Sequence, residues 1–199
     1  SRGLGDVYKR QIYDSQPPAM IVNLEDIYSI PLSALYSRNI ENLLFAGRCI
    51  SATHVAMGST RLAATGAAMG QAAGTAAAMC VHKSCTPREL KDRHIRELQE
   101  LLLKQDQYII DLPAQDPDDL ARQATTSASS HAEDCPPENV TNGVTRWRKG
   151  KTNQWASAPG QPLPQWLELR WPQPVEIAEI HLTFDTGFQR PLSFSNYPE

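Results

Sequence analysis

The residues best suited to chemistry lie between Arg48 and Arg61. A short apolar run at 42–46 precedes Gly47 and predicts a buried strand, and the polar residues that follow are too irregular for a core. His54 is a candidate for proton transfer, because histidine as a residue type suits that role near neutral pH; the alternative is a hydrogen-bonded loop histidine that shapes a pocket. Cys49 has no partnering cysteine nearby in the sequence, which favours a packed small residue. The two arginines are suited either to a phosphate or anionic substrate or to pairing with carboxylates.

A helix is expected to position these groups. The order strand, glycine-containing loop, Ser59-Thr60 and a long Ala/Gly segment predicts a helix from Arg61 to about His82, with the two hydroxyl residues as N-caps. The N-terminus of a helix offers unpaired N–H groups and a partial positive charge, which stabilise negative charge on a bound ligand.

Three glycines, Gly66, Gly70 and Gly74, recur at four-residue spacing on one face of that helix. Each costs about 0.5–1 kcal/mol relative to alanine in a helix interior, so the close approach of another backbone or of a flat ligand is expected. This row of glycines therefore predicts that a large side chain at Gly70, as in Gly70→Leu, destabilises the protein. A membrane span over 62–81 and a plain buried helix are the alternatives.

The segment from Ile30 to Cys80 resembles the C-terminal flavin-contacting segment of the FAD-dependent oxidoreductase family. The resemblance rests on an Ile-Pro, the run NLLFAGR, the run CISATHVAMGSTR and the Gly/Ala helix GQAAGTAAA. It implies an α/β fold, namely the C-terminal part of a Rossmann-like FAD-binding domain, with FAD as the cofactor and a small-molecule substrate. It places three sets of residues at the flavin: Ala46, Gly47 and Arg48 beside the cofactor, the loop with Cys49, Ser51 and His54 near the isoalloxazine ring, and Ser59, Thr60 and Arg61 at the start of the helix aimed at the pyrimidine edge.

The same resemblance implies an upstream dinucleotide-binding motif, G-x-G-x-x-G after a strand. The sequence has no such motif; Gly3 and Gly5 lie in residues 1–11, which resemble a non-native leader that recurs at the ends of metagenomic fragments. The chain is therefore expected to be an inactive fragment with half of a flavin site. A full-length parent is expected to purify with FAD, whereas residues 12–199 alone are not.

Changes in amino-acid composition along the chain predict the domain organisation: 12–85 as the flavin-domain segment, 86–122 as a helical segment and linker, and 123–199 as a β-rich domain. Pro87 is placed near a first helical turn. Leu90, Leu98, Leu101 and Leu102 predict one amphipathic helix to about Gln105, and the prolines in 111–119 indicate a linker.

The C-terminal region has period-two alternation typical of half-buried strands at 166–171 and 179–184. Trp166 or Trp171 is expected in the core, and no role is assigned to Trp147 and Trp155. ASS at 128–130, NVTNG at 139–143, Trp155 and PQWLELRWPQPVEIAEIHLTF resemble the first half of a discoidin-like, galactose-binding jelly roll. A partial all-β sandwich is therefore expected, with carbohydrate as a possible ligand.

The net charge and the cysteine spacing exclude some classes of function. Nineteen Lys+Arg against 22 Asp+Glu give a formal charge of −3, which argues against nucleic acid as the main partner. Four scattered cysteines indicate no metal site. A bacterial source is expected, with the compartment (cytoplasmic, periplasmic or secreted) left open. The sequence predicts the C-terminal fragment of an FAD-dependent oxidoreductase with an accessory carbohydrate-binding-like module; the alternative is a non-enzymatic carbohydrate-binding or adhesion fragment.

Overall fold

The computed structural model describes residues 27–147 and 150–185, together with the backbone of two strands, Asp6–Lys9 and Ala19–Val22. The chain divides after Asp116 into two compact units. Each unit is described by itself.

In its described residues the first unit combines one strand pair with four α-helices and two short 3₁₀ turns, Leu32–Ala34 and Gly47–Cys49. Strands β1 (Asp6–Lys9) and β2 (Ala19–Val22) are antiparallel, with Asp6 opposite Val22. The helices are α1 (His54–Thr60), α2 (Ala63–Lys83), α3 (Pro87–Arg93) and α4 (Ile95–Lys104). A helical region with a small sheet is compatible with part of an α/β FAD-type domain.

Helix α2 organises the core of this unit. Its buried face carries Met69, Ala72, Ala73, Ala76 and Met79, spaced three and four residues apart. Leu90, Leu98 and Leu102 of the following helices pack into the same cluster with Leu35 and Ile50. The predicted helix is thus confirmed, and one of its faces is buried. Among the described residues, none of the helices has the length and hydropathy that crossing a membrane requires.

The predicted strand at 42–46 is not formed. Leu44 makes an isolated antiparallel bridge to Tyr36, and Phe45 N donates to Leu35 O at 2.7 Å. A strand needs a neighbour along its length, and in the described part of the chain this segment pairs only around residues 35–37.

The leucine-rich segment forms two helices rather than one. His94 (φ −131°, ψ 15°) lies outside helical geometry between α3 and α4, and its Nδ1 lies 2.7 Å from Glu97 Oε1. The buried pattern survives this break: Leu90, Leu98 and Leu102 are in the core, whereas Leu101 is 40 % exposed.

The start of α3 is fixed by a capping box around Pro87, which confirms the expected first turn. Thr86 Oγ1 accepts from Glu89 N at 3.2 Å, and Glu89 Oε2 accepts from Thr86 N at 2.9 Å. The bond from the Thr86 backbone, followed by the one from its hydroxyl, holds the pKa of Glu89 below its ordinary value.

Glu89→Gln is expected to destabilise the first unit near neutral pH and progressively less in acid. Because the pKa of Glu89 is lower in the folded chain than in the unfolded chain, its contribution is fully present above the ordinary pKa of glutamate. That contribution is lost as the pH falls through the lowered folded value. The melting temperatures of the wild type and of Glu89→Gln are measured between about pH 7 and about pH 2, and the difference between them should shrink as the pH falls. A difference in melting temperature that stays constant across that pH range would contradict the stabilising role of the ionised Glu89 carboxylate.

The second unit contains the antiparallel strands β3 (Thr125–Ala128) and β4 (Leu167–Arg170), with Thr125 opposite Arg170. In β4 the leucines are half-buried and Glu168 and Arg170 are exposed, which confirms the alternation expected there. Its described residues also form 3₁₀ turns at Leu120–Gln123 and Pro137–Thr141.

The second strand expected from this pattern is not formed. Ile180, Leu182 and Phe184 lie in irregular chain and are 74 %, 65 % and 77 % exposed. Alternation describes a face, but a strand also requires a hydrogen-bonded neighbour, and the described residues provide none beside this segment. A jelly roll is therefore not shown; the described part of this unit has a single strand pair.

The tryptophans of this unit divide into two kinds. Trp155 and Trp171 are half-buried, and their indole N–H groups donate to Ser130 O at 3.0 Å and to Leu120 O at 2.8 Å. Trp147 and Trp166 are 68 % and 52 % exposed. Trp166 or Trp171 was expected in the core, and of these two candidates Trp171 is the half-buried one.

Candidate functional site: the turn at 46–51 and the start of helix α2

A 3₁₀ turn at Gly47–Cys49 forms one side of the candidate site. Ala46 enters it in extended geometry and packs against the core, and Ile50 is buried directly after it. Gly47 has a φ of +62°, in the left-handed region that glycine adopts at little cost. Anchored at both ends, the turn presents Arg48 and Cys49 to solvent. Cys49 is therefore exposed, and its expected packing is wrong.

The turn lies directly against the beginning of α2. A Cβ placed on Gly66 would lie 3.7 Å from the Gly47 Cα, so two glycine backbones face each other here. The expected close approach exists at Gly66. A Cβ placed on Gly70 or Gly74 would meet nothing described within 4 Å beyond the adjoining backbone of α2, and both residues are exposed, so overpacking at Gly70 is not supported by this structure.

The hydroxyl residues Ser59 and Thr60 are not N-caps of α2, contrary to expectation. They end α1, are 6 % and 5 % exposed, and donate to Ala56 O at 3.4 and 2.9 Å. Thr53 is the N-cap in this region: its Oγ1 accepts from Ala56 N at 3.2 Å. With the hydroxyls directed back onto their own helix, they are not presented at the start of α2.

Helix α2 begins at Ala63, two residues later than expected. Its N-cap is Leu62, whose side chain has no acceptor, so side-chain capping does not satisfy the N–H groups of the first turn. These donors carry the positive end of the helix dipole and lie on the turn of helix that contacts Gly47. The arrangement suits a ligand that presents an acceptor or partial negative charge.

The other expected site residues, Ser51, His54 and Arg61, precede α2 in the sequence and are exposed. His54 is the first residue of α1, and its ring makes no hydrogen bond to any described residue. Ser51 N donates to Ala34 O at 2.9 Å, and Arg61 Nε donates to Gly58 O at 3.3 Å. Among the described residues, neither Arg48 nor Arg61 forms an ion pair.

The structure thus brings together the turn at 46–49 and the first turn of α2, whereas the hydroxyl groups of Ser59 and Thr60 donate within α1. The sequence analysis did not single out Thr53, although a threonine before a short helical run is an N-cap signal. No group of His, Cys, Asp and Glu in the described part of the chain could hold a metal ion.

Comparison with known proteins supports a flavin-related origin for the first unit. The family model of the FAD dependent oxidoreductases matches residues 6–102, a match that begins within the segment expected to be a leader. A domain of unknown function, DUF7402, matches residues 119–191. No curated protein and no solved structure matches the chain. The chain therefore contains an FAD oxidoreductase-like segment followed by a domain whose function the match does not state.

Proposed function

We propose that this chain is part of an FAD-dependent oxidoreductase and that the turn at 46–51, together with the start of α2, contacts the flavin. One observation carries the proposal: Gly47 and Gly66 bring an exposed turn against the uncapped first turn of a long helix. The family match over the same residues supports it.

The groups present fit the edge of a flavin in chemical terms. The uncapped N–H groups of α2 donate, and a flavin ring has acceptors along its pyrimidine edge. The guanidinium groups of Arg48 and Arg61 add positive charge that no described carboxylate neutralises. Bound FAD would supply the two-electron redox chemistry that these side chains lack. Ser59 and Thr60 do not fit a contacting role because they are buried against Ala56 O.

His54 is proposed as the proton-transfer residue of this site. Its ring is exposed on the first turn of α1, and no described group holds it by a hydrogen bond. Histidine is the side chain that most often serves as a general acid or base, which is the role that proton transfer in a redox reaction requires. The alternative role, in which a hydrogen-bonded His54 shapes the pocket, would need a hydrogen bond from the ring, and the described residues show none.

The chain should bind the flavin ring weakly and gain little from the rest of FAD. Because it lacks the G-x-G-x-x-G pyrophosphate motif, FAD, FMN and riboflavin should bind with similar dissociation constants in about the millimolar range. Amide chemical shifts of the ¹⁵N-labelled chain measure the binding during titration. The moving resonances should belong to residues 46–51 and the first turn of α2, and the ring protons of His54 should move while those of His82 and His131 stay.

Gly47→Val is the matched variant for this titration. A β-branched residue at φ +62° is strained, so the turn should rearrange and the shifts should weaken. Gly70→Val, an exposed position without a near neighbour, should titrate like the wild type. Shifts confined to residues outside 46–66, or unaffected by Gly47→Val, would overturn the flavin-contact proposal.

The second candidate function concerns the second unit. Trp147 and Trp166 are largely exposed, and exposed indole rings are common platforms for stacking against sugars. A carbohydrate-binding role, as an accessory module or as a non-enzymatic adhesion fragment, rests on these two rings. The same titration made with galactose separates the candidates: it should move the indole N–H resonances of Trp147 or Trp166 and leave residues 46–66 unchanged.

A further inference from the structure

Two cysteines flank the C-terminal end of α2, away from the candidate flavin contact. Helix α2 ends at Lys83, and the next residue, Ser84, has a left-handed backbone with φ 50°. Cys85 N donates to Cys80 O at 3.0 Å, and Ser84 N donates to Val81 O at 3.3 Å. This pair of bonds defines a Schellman motif, in which the side chains at the positions of Cys80 and Cys85 commonly contact each other.

The environment of the two thiols agrees with that contact. Both cysteines are half-buried, both pack against the hydrophobic cluster of the first unit, and neither is bridged. The pKa of Cys80 is raised to about 11, first by burial and then by Cys85 through charge and a thiol–thiol hydrogen bond. Cys49 and Cys135 show no comparable pairing in the sequence.

We propose that Cys80 and Cys85 are a redox modification site: a low-molecular-weight disulfide such as oxidised glutathione converts them into an intrachain disulfide. The bond would join the last full turn of α2 to the residue before Thr86, the N-cap of α3. Because the backbone bond from Cys85 to Cys80 already closes this loop, bridging requires little backbone movement.

The exchange has two balanced steps. The Cys85 thiolate attacks one sulfur of oxidised glutathione, the glutathione disulfide breaks, and one glutathione thiolate leaves. The Cys80 thiolate then attacks the Cys85 sulfur and displaces the second glutathione. Two protein thiols are oxidised, one small disulfide is reduced, and the two thiol protons end on the released glutathiones. Cys85 attacks first because the raised pKa of Cys80 leaves less of its thiolate.

Peptide mapping of the full chain tests the proposal. The chain is equilibrated in glutathione buffers of graded composition, acid-quenched, alkylated and digested with trypsin. Lys83 lies between the two cysteines, so cleavage there separates Leu62–Lys83 from Ser84–Arg88 unless a disulfide joins them. The joined peptide should form, with two hydrogens fewer than its parts, and should disappear on reduction. The intact oxidised chain should keep the mass of a monomer.

The same buffers in urea show whether the fold favours the bond. The ratio of joined to reduced peptide should be about tenfold higher in the folded chain than in the unfolded chain. Cys85→Ala, which keeps a small apolar residue in the motif, should retain its helical circular dichroism and yield no joined peptide. The proposal is overturned if the folded chain yields no joined peptide, or if the joined peptide comes only from disulfide-linked dimers. It is also overturned if the ratio of joined to reduced peptide is no higher in the folded chain than in urea.

Discussion

Leu90→Ala is expected to lower the free energy of unfolding of the first unit by about 2–5 kcal/mol. Leu90 is 0 % exposed, at the centre of the cluster that joins α2, α3 and α4. Truncation removes its buried methyl and methylene groups and leaves a cavity that three helices would have to move to fill. A domain of this size has about 5–15 kcal/mol of stability in total, so the variant should lose a large fraction of it.

Urea unfolding followed by helical circular dichroism measures this loss, because all four α-helices of the described residues lie in the first unit. Leu101→Ala is the matched control. It makes the same truncation at a position in α4 that is 40 % exposed, and its cost should stay below about 1 kcal/mol. Equal losses in the two variants would show that the helices do not share the described core.

The sequence predicted the helices well because their signals are local. The Ala/Gly run, the Thr86-Pro87 start and the leucine spacing each act within a few residues, and α2, α3 and α4 lie where these signals place them. The break at His94 was missed because the leucine pattern continues through it. Both helices pack on one core, which preserves the spacing of their buried positions.

The strands were predicted less well because they depend on partners. The alternation at 166–171 became β4, where Thr125–Ala128 is the neighbour, whereas the same pattern at 179–184 has no described neighbour and no strand. The apolar run at 42–46 failed for the same reason. A period-two pattern therefore located candidate strands but did not determine which of them pair.

The candidate site was predicted in composition but not in arrangement. The loop from Ala46 to His54 was singled out by its residue types together with the family resemblance, and the structure presents Arg48, Cys49, Ser51 and His54 to solvent. The assignment of Ser59 and Thr60 as N-caps failed because Thr53 starts a separate short helix before them. Which glycine makes the close contact depends on tertiary packing, and spacing alone could not distinguish Gly66 from Gly70.

Gly66→Leu is expected to destabilise the first unit by about 1–3 kcal/mol. Its Cβ would occupy ordinary contact distance, 3.7 Å, from the Gly47 Cα, so the atoms beyond Cβ would have to displace the turn or leave their preferred rotamers. Gly66→Ala adds only the methyl group that the contact can hold. It should stabilise the chain by up to about 1 kcal/mol, because alanine is the better helix former.

Gly70→Leu is the matched control, since it makes the same change one helical turn along the same face, where a Cβ meets nothing described within 4 Å beyond the adjoining backbone of α2. Its helix propensity should make it neutral or stabilising by up to about 1 kcal/mol. Urea unfolding of the three variants measures the differences. The flavin titration should weaken in Gly66→Leu alone, because only this substitution displaces the turn at 46–49. If Gly66→Leu and Gly70→Leu were equally stable, the apposition of Gly47 and Gly66 would not exist in solution, and the flavin-contact proposal would lose the observation on which it rests.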